Sequence, residues 1–200
     1  MLIPHYINQY YPFIRGYYID NLDVCDKLIQ YHTDSDNKKA GSVTSGIKPE
    51  VKTSTDCVLE YCDLSEEYFD ELFKCTITYC QEYPHAGTEG PFWNLKQPAN
   101  IQKYLPGESF KKFHCERSLA TVTRHLVFLT YLNDLTDGGE TEFLYQNLKV
   151  KPEKGLTLIF PADWTFTHRG VSSLTQTKYI ITGWFDYMPL PVDLEQMKPE

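Results

Sequence analysis

The chain holds no apolar run approaching the roughly 20 residues a membrane-crossing helix requires. Its first residues, MLIPHYINQYYPF, lack the charged-then-apolar order of an export signal. The expectation is a cytoplasmic protein without a membrane partner. Basic clusters are missing too. With 19 Lys and Arg against 27 Asp and Glu, and a formal net charge of −8, a nucleic-acid backbone is not expected as a partner. The six cysteines (Cys25, Cys57, Cys62, Cys75, Cys80, Cys115) form no C-x-x-C and no paired metal-type spacing. That argues against a structural zinc site and leaves reduced core thiols as the expectation. There is no internal repeat and no low-complexity segment.

What is present fits one globular domain over residues 1–200. The aromatic content is 14%, including 15 Tyr, which suits a fold with a pocket. Residues 1–99 read as a supporting region of helices and strands. Leu22, Cys25, Leu28 and Ile29 recur at helical spacing near 21–33, followed by the polar loop DSDNKKAGS. A second helix starts at Asp63 or Ser65 as cap. It carries an apolar stripe of Tyr68, Phe69, Leu72, Phe73, Ile77 and Cys80, and stops before Pro84. HAGTEGPFWNLKQ at 85–97 reads as a lid or as a packed connection.

From residue 100 to 187 the period becomes that of strands. HLVFLTYLND is apolar on both faces and predicts a central strand, with Val127, Leu129, Tyr131 and Asn133 sharing one side. Asp137-Gly138-Gly139 marks a hairpin turn into TEFLY, and LKVKP, GLTLIFP, HRGVSSL and KYIITGWFDY add short strands. Short strands with regular turn signals predict a two-sheet jelly roll. Residues 188–200 read as an exposed tail.

The chemistry-bearing residues sit in this second part. His114 and Glu116 in FHCE are two positions apart, so on extended chain they project to one side about 7 Å apart at Cα, with Cys115 on the other. His168 in HRG is the best third ligand, because His5, His32 and His85 have no partner at ligand spacing and His125 lies beside Arg124 at a strand start. Two imidazoles and a carboxylate form the facial set that leaves a ferrous ion with open positions. Metal affinity is expected to fall as pH drops through the histidine range. Lys178 shares its strand face with Ile180, Thr182 and Trp184. A cation there needs a partner, which a dicarboxylate supplies.

Y-x-x-G with H-x-E, DGGETEF, K-x-x-x-G-x-x-x-x-F-P, HRG and K-x-x-x-T-x-W together resemble the prolyl 4-hydroxylase branch of the 2-oxoglutarate and Fe(II)-dependent dioxygenases. The nearest kind is the small hydroxylase-like proteins of marine bacteriophages. The resemblance implies a double-stranded β-helix, mainly β and cupin-like, with supporting helices on one sheet. It implies His114, Glu116 and His168 as iron ligands and Lys178 on the distal carboxylate of 2-oxoglutarate. Tyr104, Tyr131 and Thr182 would line the co-substrate pocket, with O2 as co-substrate and ascorbate as reductant. Arg124, Arg169 and Trp184 are candidates for the substrate mouth, and the implied substrate is a prolyl residue in a peptide or protein, or a small molecule. The family usually has Asp where Glu116 stands, and Cys115 is an unusual middle residue. Two alternatives stay open: a cupin-like metal enzyme that does not use 2-oxoglutarate, and a non-catalytic binding module on the same fold.

Overall fold

In a computed structural model, residues 2–87, 89–95 and 98–188 are described. Twelve strands run in chain order as β1 (Ile3–Pro4), β2 (Arg15–Tyr18), β3 (Lys39–Ala40), β4 (Thr55–Val58), β5 (Trp93–Leu95), β6 (Asn100–Tyr104), β7 (Arg124–Tyr131), β8 (Thr141–Phe143), β9 (Leu148–Val150), β10 (Leu156–Pro161), β11 (His168–Gly170) and β12 (Lys178–Tyr187). Two α-helices, α1 (Asp23–Asp34) and α2 (Asp63–Glu82), precede the sheet-rich part. Nine strands form one antiparallel sheet in the order β1-β2-β10-β7-β12-β6-β4-β3, with β5 also on β12. A second sheet runs β11-β8-β9. This is the expected double-stranded β-helix. The supporting strands β1 to β4 extend the same large sheet on both flanks, so the two halves of the chain share one hydrogen-bonded layer.

Strand parity divides the large sheet into two packed faces. Leu126, Phe128, Ile159, Ile181 and Phe185 point to the helices and pack with Tyr68, Leu72 and Cys75 of α2 and with Val24 and Leu28 of α1. Val127, Leu129, Tyr131, Leu158, Phe160 and Ile180 point the other way and meet Phe143, Leu148 and Val150 of the small sheet. Phe143 and Phe160 close that layer edge to face, with centroids 4.9 Å apart. β7 lies between β10 and β12 and is buried on both sides, as its unbroken apolar run requires. Gly183 of β12 sits where a Cβ would lie 2.5 Å from Phe128 Cζ, so the outer face needs a glycine there.

The helix α2 differs from expectation in its buried face and its cap. Tyr68, Leu72, Cys75, Thr76 and Tyr79 face the sheet, whereas Phe73 and Ile77 are exposed. The buried column includes hydroxyls that find partners: Tyr68 Oη shares a 2.9 Å hydrogen bond with Thr130 Oγ1, and Tyr79 donates to the Phe13 carbonyl. Cys62 occupies the cap position, and Ser65 Oγ accepts from its N–H. Within 85–97, β5 pairs with β12, and Trp93 packs on Phe185 while donating to the Ala86 carbonyl at 2.7 Å. For residues 93–95 the packed-connection reading holds rather than the lid. Residues 88, 96 and 97, and the expected tail from 189 onward, lie outside the described residues. All six cysteines are free. Among the described residues no helix is long and apolar enough to cross a membrane.

Candidate metal centre

The segment carrying His114 and Glu116 is not a regular strand, as the sequence suggests, but an irregular stretch fastened to β10 and β11. His114 N–H donates to the His168 carbonyl at 2.9 Å and His168 N–H returns the bond at 2.8 Å. Glu116 N–H donates to the Ala162 carbonyl at 3.1 Å, and Gly170 N–H to the Phe110 carbonyl at 2.9 Å. These bonds bring a local pair and a residue more than fifty positions later onto one spot. His114 Nε2 lies 3.3 Å and His168 Nε2 3.7 Å from Glu116 Oε1, and the three ligand atoms all fall within 4.8 Å of one another. Neighbouring ligands at bond lengths of about 2.1 Å stand about 3 Å apart, so the spacing is close to that of a facial set.

Orientation of the donors fits a metal as well as their spacing does. His114 Nδ1 lies 3.0 Å from the Lys112 carbonyl and His168 Nδ1 3.0 Å from the Phe166 carbonyl. A carbonyl only accepts, so each Nδ1 carries a proton and each Nε2 is the ring nitrogen turned toward Glu116. Phe110 stacks on the His114 ring at 3.6 Å between centroids and 8° between planes, while Phe160 meets the His168 ring edge to face. Arg124 Nη1 holds Glu116 Oε2 at 3.0 Å and the Glu116 carbonyl at 3.2 Å. One carboxylate oxygen is therefore engaged outside, and the other faces the imidazoles.

Charge follows the same arrangement. Burial alone would raise the Glu116 carboxyl, but the hydrogen bond and charge of His114, with His168 and Arg124, outweigh it and bring it to about 2. Burial and the neighbouring His114 push His168 down to about 4. His168 thus stays neutral, with its one proton on Nδ1, through the ordinary histidine range. The donor set, two neutral-capable nitrogens and one ionised oxygen, suits Fe(II).

The three ligands open on a cavity of about 830 Å³ that Lys178, Thr182, Tyr104, Trp184 and Arg124 also line. Lys178 is 6% exposed, and its Nζ donates to the Gly139 carbonyl at 2.6 Å. Among the described residues no carboxylate lies within ion-pair distance of it, and burial lowers its pKa from 10.5 to about 8. The ammonium lies 5.7 Å from the Tyr104 ring centre and 5.4 Å from that of Tyr131. Gly138 and Gly139 make the turn that supplies the carbonyl, at φ of 104° and 81°, which only glycine adopts without strain.

The other site candidates are placed differently from a direct-contact reading. Tyr131 is fully buried, with its hydroxyl hydrogen-bonded to Thr141 Oγ1 at 2.6 Å and to the Val150 carbonyl at 3.2 Å. Thr182 donates to the Phe128 carbonyl at 2.7 Å, and Tyr104 to Gln102 Oε1 at 2.6 Å. Arg124 is not free to meet a substrate anion: besides Glu116, its guanidinium stacks on Trp184 at 3.4 Å. Arg169 is likewise engaged, by Glu142 at 2.7 Å and the Phe113 ring at 4.4 Å.

Sequence reasoning passed over the wall built by β4 and β6. Lys52 Nζ donates to Asp56 Oδ2 at 2.6 Å, Ser54 Oγ to Asp56 Oδ1 at 2.6 Å, and Asn100 Nδ2 to Asp56 Oδ2 at 3.1 Å. Lys52, Asp56, Asn100 and Gln102 all line the cavity, and so does Thr141. The available signal was a period-two polar pattern, Lys52-Ser54-Asp56 and Asn100-Gln102-Tyr104, opposite the buried Cys57 and Ile101.

Residues 99–186 match the sequence profile described as the 2OG-Fe(II) oxygenase superfamily. No curated protein matches the chain. Among solved structures, a viral collagen prolyl hydroxylase from Paramecium bursaria Chlorella virus-1, in a 2OG complex, superposes with a TM-score of 0.66 at 20% identity, covering 88% of this chain and 97% of that one. A Pseudomonas putida prolyl-4-hydroxylase gives 0.68 at 15% identity, covering 88% and 94%. A Trichoplax adhaerens prolyl hydroxylase in complex with a hypoxia inducible factor peptide fragment gives 0.71 at 15% identity, covering 90% and 86%. At these identities the likeness shows a shared fold.

Proposed function

From the match of residues 99–186 to the 2OG-Fe(II) oxygenase superfamily profile, we propose that His114, Glu116 and His168 hold Fe(II) and that Lys178 receives the distal carboxylate of 2-oxoglutarate. The protein is a 2-oxoglutarate-dependent dioxygenase acting on a C–H bond, and the proposed substrate is a prolyl residue in a peptide or protein. When bound, Fe(II) supplies the chemistry that couples oxidative decarboxylation of 2-oxoglutarate, to succinate and CO2, with hydroxylation of the substrate by O2. The single observation that carries this reading is the convergence of three ligand atoms on a cavity that also holds a buried cation with no carboxylate partner among the described residues.

Each side chain then has a stated task. The Lys112 and Phe166 carbonyls fix the two imidazoles with Nε2 turned to the ion. Arg124 keeps Glu116 Oε2 occupied, so the carboxylate offers one oxygen and coordination positions stay open. Phe110, Phe160 and Trp184 wall the cavity and exclude water. The cavity, about 830 Å³, is larger than a five-carbon diacid requires and leaves room for a second molecule's side chain. The prolyl assignment draws on the relatives of this fold, two of which carry a collagen prolyl hydroxylase name and a bound peptide fragment.

The decisive measurement is succinate release from 2-oxoglutarate by anaerobically Fe(II)-loaded protein on exposure to air, first without substrate and then with proline-rich peptides. Turnover should require both His168 and Lys178. Succinate at buffer background under all peptides would overturn the proposal and favour the non-catalytic module.

A further inference from the structure

The three hydroxyl residues expected to line the co-substrate pocket give their protons to acceptors inside the protein. Thr182 gives its proton to the Phe128 carbonyl, Tyr131 is tied to Thr141 and Val150, and Tyr104 donates to Gln102. The Tyr104 contact has a definite direction. At 2.6 Å it lies in the O–H···O range and is short for N–H···O, so the Gln102 carbonyl oxygen is the acceptor. Ser54, beside the same tyrosine, cannot supply a competing proton to it, because its own goes to Asp56. With Oε1 pinned, the Gln102 Nε2 group must turn the other way. Its two N–H donors have no acceptor among the described residues, yet they are not sealed, and the side chain lines the cavity.

Register then places those donors. On adjoining strands Tyr104 pairs with Lys178 and Gln102 with Ile180, all on the inner face. Gln102 and Lys178 are therefore diagonal neighbours about 7–8 Å apart at Cα, within reach of a common group lying between long side chains. Gln102 is only 7% exposed and lines the cavity, so its two amide protons, which no protein acceptor among the described residues takes, are available to whatever the cavity holds.

We infer that Gln102, oriented by Tyr104, is a second binding residue for the distal carboxylate, donating from Nε2 to one oxygen while Lys178 pairs with the other. Tyr104 acts through Gln102 as a positioning residue and does not itself touch the co-substrate. This rests on the 2-oxoglutarate reading of Lys178. The acceptor is a carboxylate oxygen. A carbonyl of the primary substrate is the competing source, and the test separates the two.

The test is isothermal titration of anaerobic, Mn(II)-loaded protein with 2-oxoglutarate and with 2-oxobutyrate, which lacks the distal carboxylate. Gln102→Leu should weaken 2-oxoglutarate binding roughly tenfold or more, the loss of a charge-assisted hydrogen bond. Mn(II) binding and 2-oxobutyrate affinity should be unchanged. Gln102→Glu should weaken it further, by setting like charges together. Tyr104→Phe should weaken it less, and should add nothing in the Gln102→Leu background. Gln102→Met gives the same reading if the leucine variant does not fold. If Lys178→Ala leaves 2-oxoglutarate affinity intact, the underlying reading of the pocket fails. If Lys178→Ala abolishes binding while both Gln102→Leu and Gln102→Met keep it, the inference about Gln102 alone fails. A Gln102→Leu effect that is equal on both oxo acids, or that is confined to the KM of the primary substrate, also overturns it.

Discussion

Replacing Lys178 with methionine should make the ligand-free protein more stable while removing its capacity for 2-oxoglutarate. The folded state holds this ammonium without a carboxylate partner, and burial has moved its pKa from 10.5 to about 8. At 1.36 kcal/mol per pH unit, that displacement is a cost of about 3 kcal/mol, carried in full at every pH below 8. The sign is fixed by linkage: between 8 and 10.5 the unfolded chain keeps the proton and the folded chain releases it. Wild-type stability therefore rises across that window, and the methionine variant shows no such rise. Methionine also strands the Gly139 carbonyl, at about 1–3 kcal/mol. The net gain at pH 7 is thus only about 1 kcal/mol. The carbonyl cost does not depend on pH, so the informative quantity is the change in the difference between the two proteins. Urea unfolding of both apo-proteins should show the methionine advantage shrinking by about 2 kcal/mol from pH 7 to pH 10. The same variant should lose on the order of 100-fold or more in 2-oxoglutarate affinity. A stability difference that is flat with pH would refute the claim that an unpaired charge is buried there. Retained affinity would refute its assignment to the diacid.

Four further outcomes follow from the same geometry. His114→Ala and His168→Ala should abolish Mn(II) or Fe(II) uptake in anaerobic titration while the far-UV circular dichroism stays that of wild type, since the two hydrophobic cores supply most of the stability. Affinity for 2-oxoglutarate should weaken about tenfold between pH 7 and pH 9, because the free site loses the Lys178 proton near 8 and the complex needs it. Arg124→Met should free Glu116 Oε2 and lower metal affinity about 10-fold, read by competition with a chelating dye. Gly183→Ala should destabilise by about 1–3 kcal/mol in urea, because its Cβ would meet the Phe128 ring at 2.5 Å.

The residues that were legible in the sequence are those whose alternation had one reading. Lys178, Ile180, Thr182 and Trp184 lie on one side of β12, and Val127, Leu129 and Tyr131 on one side of β7. The turn at Asp137-Gly138-Gly139 was readable because two consecutive glycines at positive φ have few other uses, but it is not the expected hairpin: β7 pairs with β10 and β12, while β8 pairs with β9 and β11 in the other sheet. The H-x-E pair and the distant histidine were readable by chemistry, although the stretch holding the pair is irregular. Its position depends on bonds to the His168 and Ala162 carbonyls, which no local pattern announces. Helix α2 misled for a different reason. Apolarity alone carried the stripe from Tyr68 and Leu72, which are buried, on to Phe73 and Ile77, which are exposed, and passed over Cys75 and Tyr79; the Tyr68 and Tyr79 hydroxyls reach Thr130 and Phe13. An aliphatic count is blind to that satisfaction.

The wall of β4 and β6 marks the deeper limit of pattern reading. Alternating polar residues on a strand ordinarily mean that one face meets water, and by that rule Ser54, Asp56, Asn100 and Gln102 would point outward. Here Cys57 and Ile101 take the helix-covered side, and the polar set lines the interior of the roll. The rule about which face is polar still holds, because at these strands the roll encloses a cavity with polar lining in place of a filled core. A sequence carrying metal ligands and a buried cation should therefore have its polar strand faces read as candidates for the cavity first. The engaged arginines give the complementary lesson. Arg124 and Arg169 were placed at the mouth by position along the chain, but each is already bound to a glutamate and an aromatic ring. A charge can contribute to ligand affinity only to the extent that the protein has left it unpaired. By that criterion Lys178 and the amide of Gln102 are the proposed co-substrate contacts, and the arginines hold the frame around them.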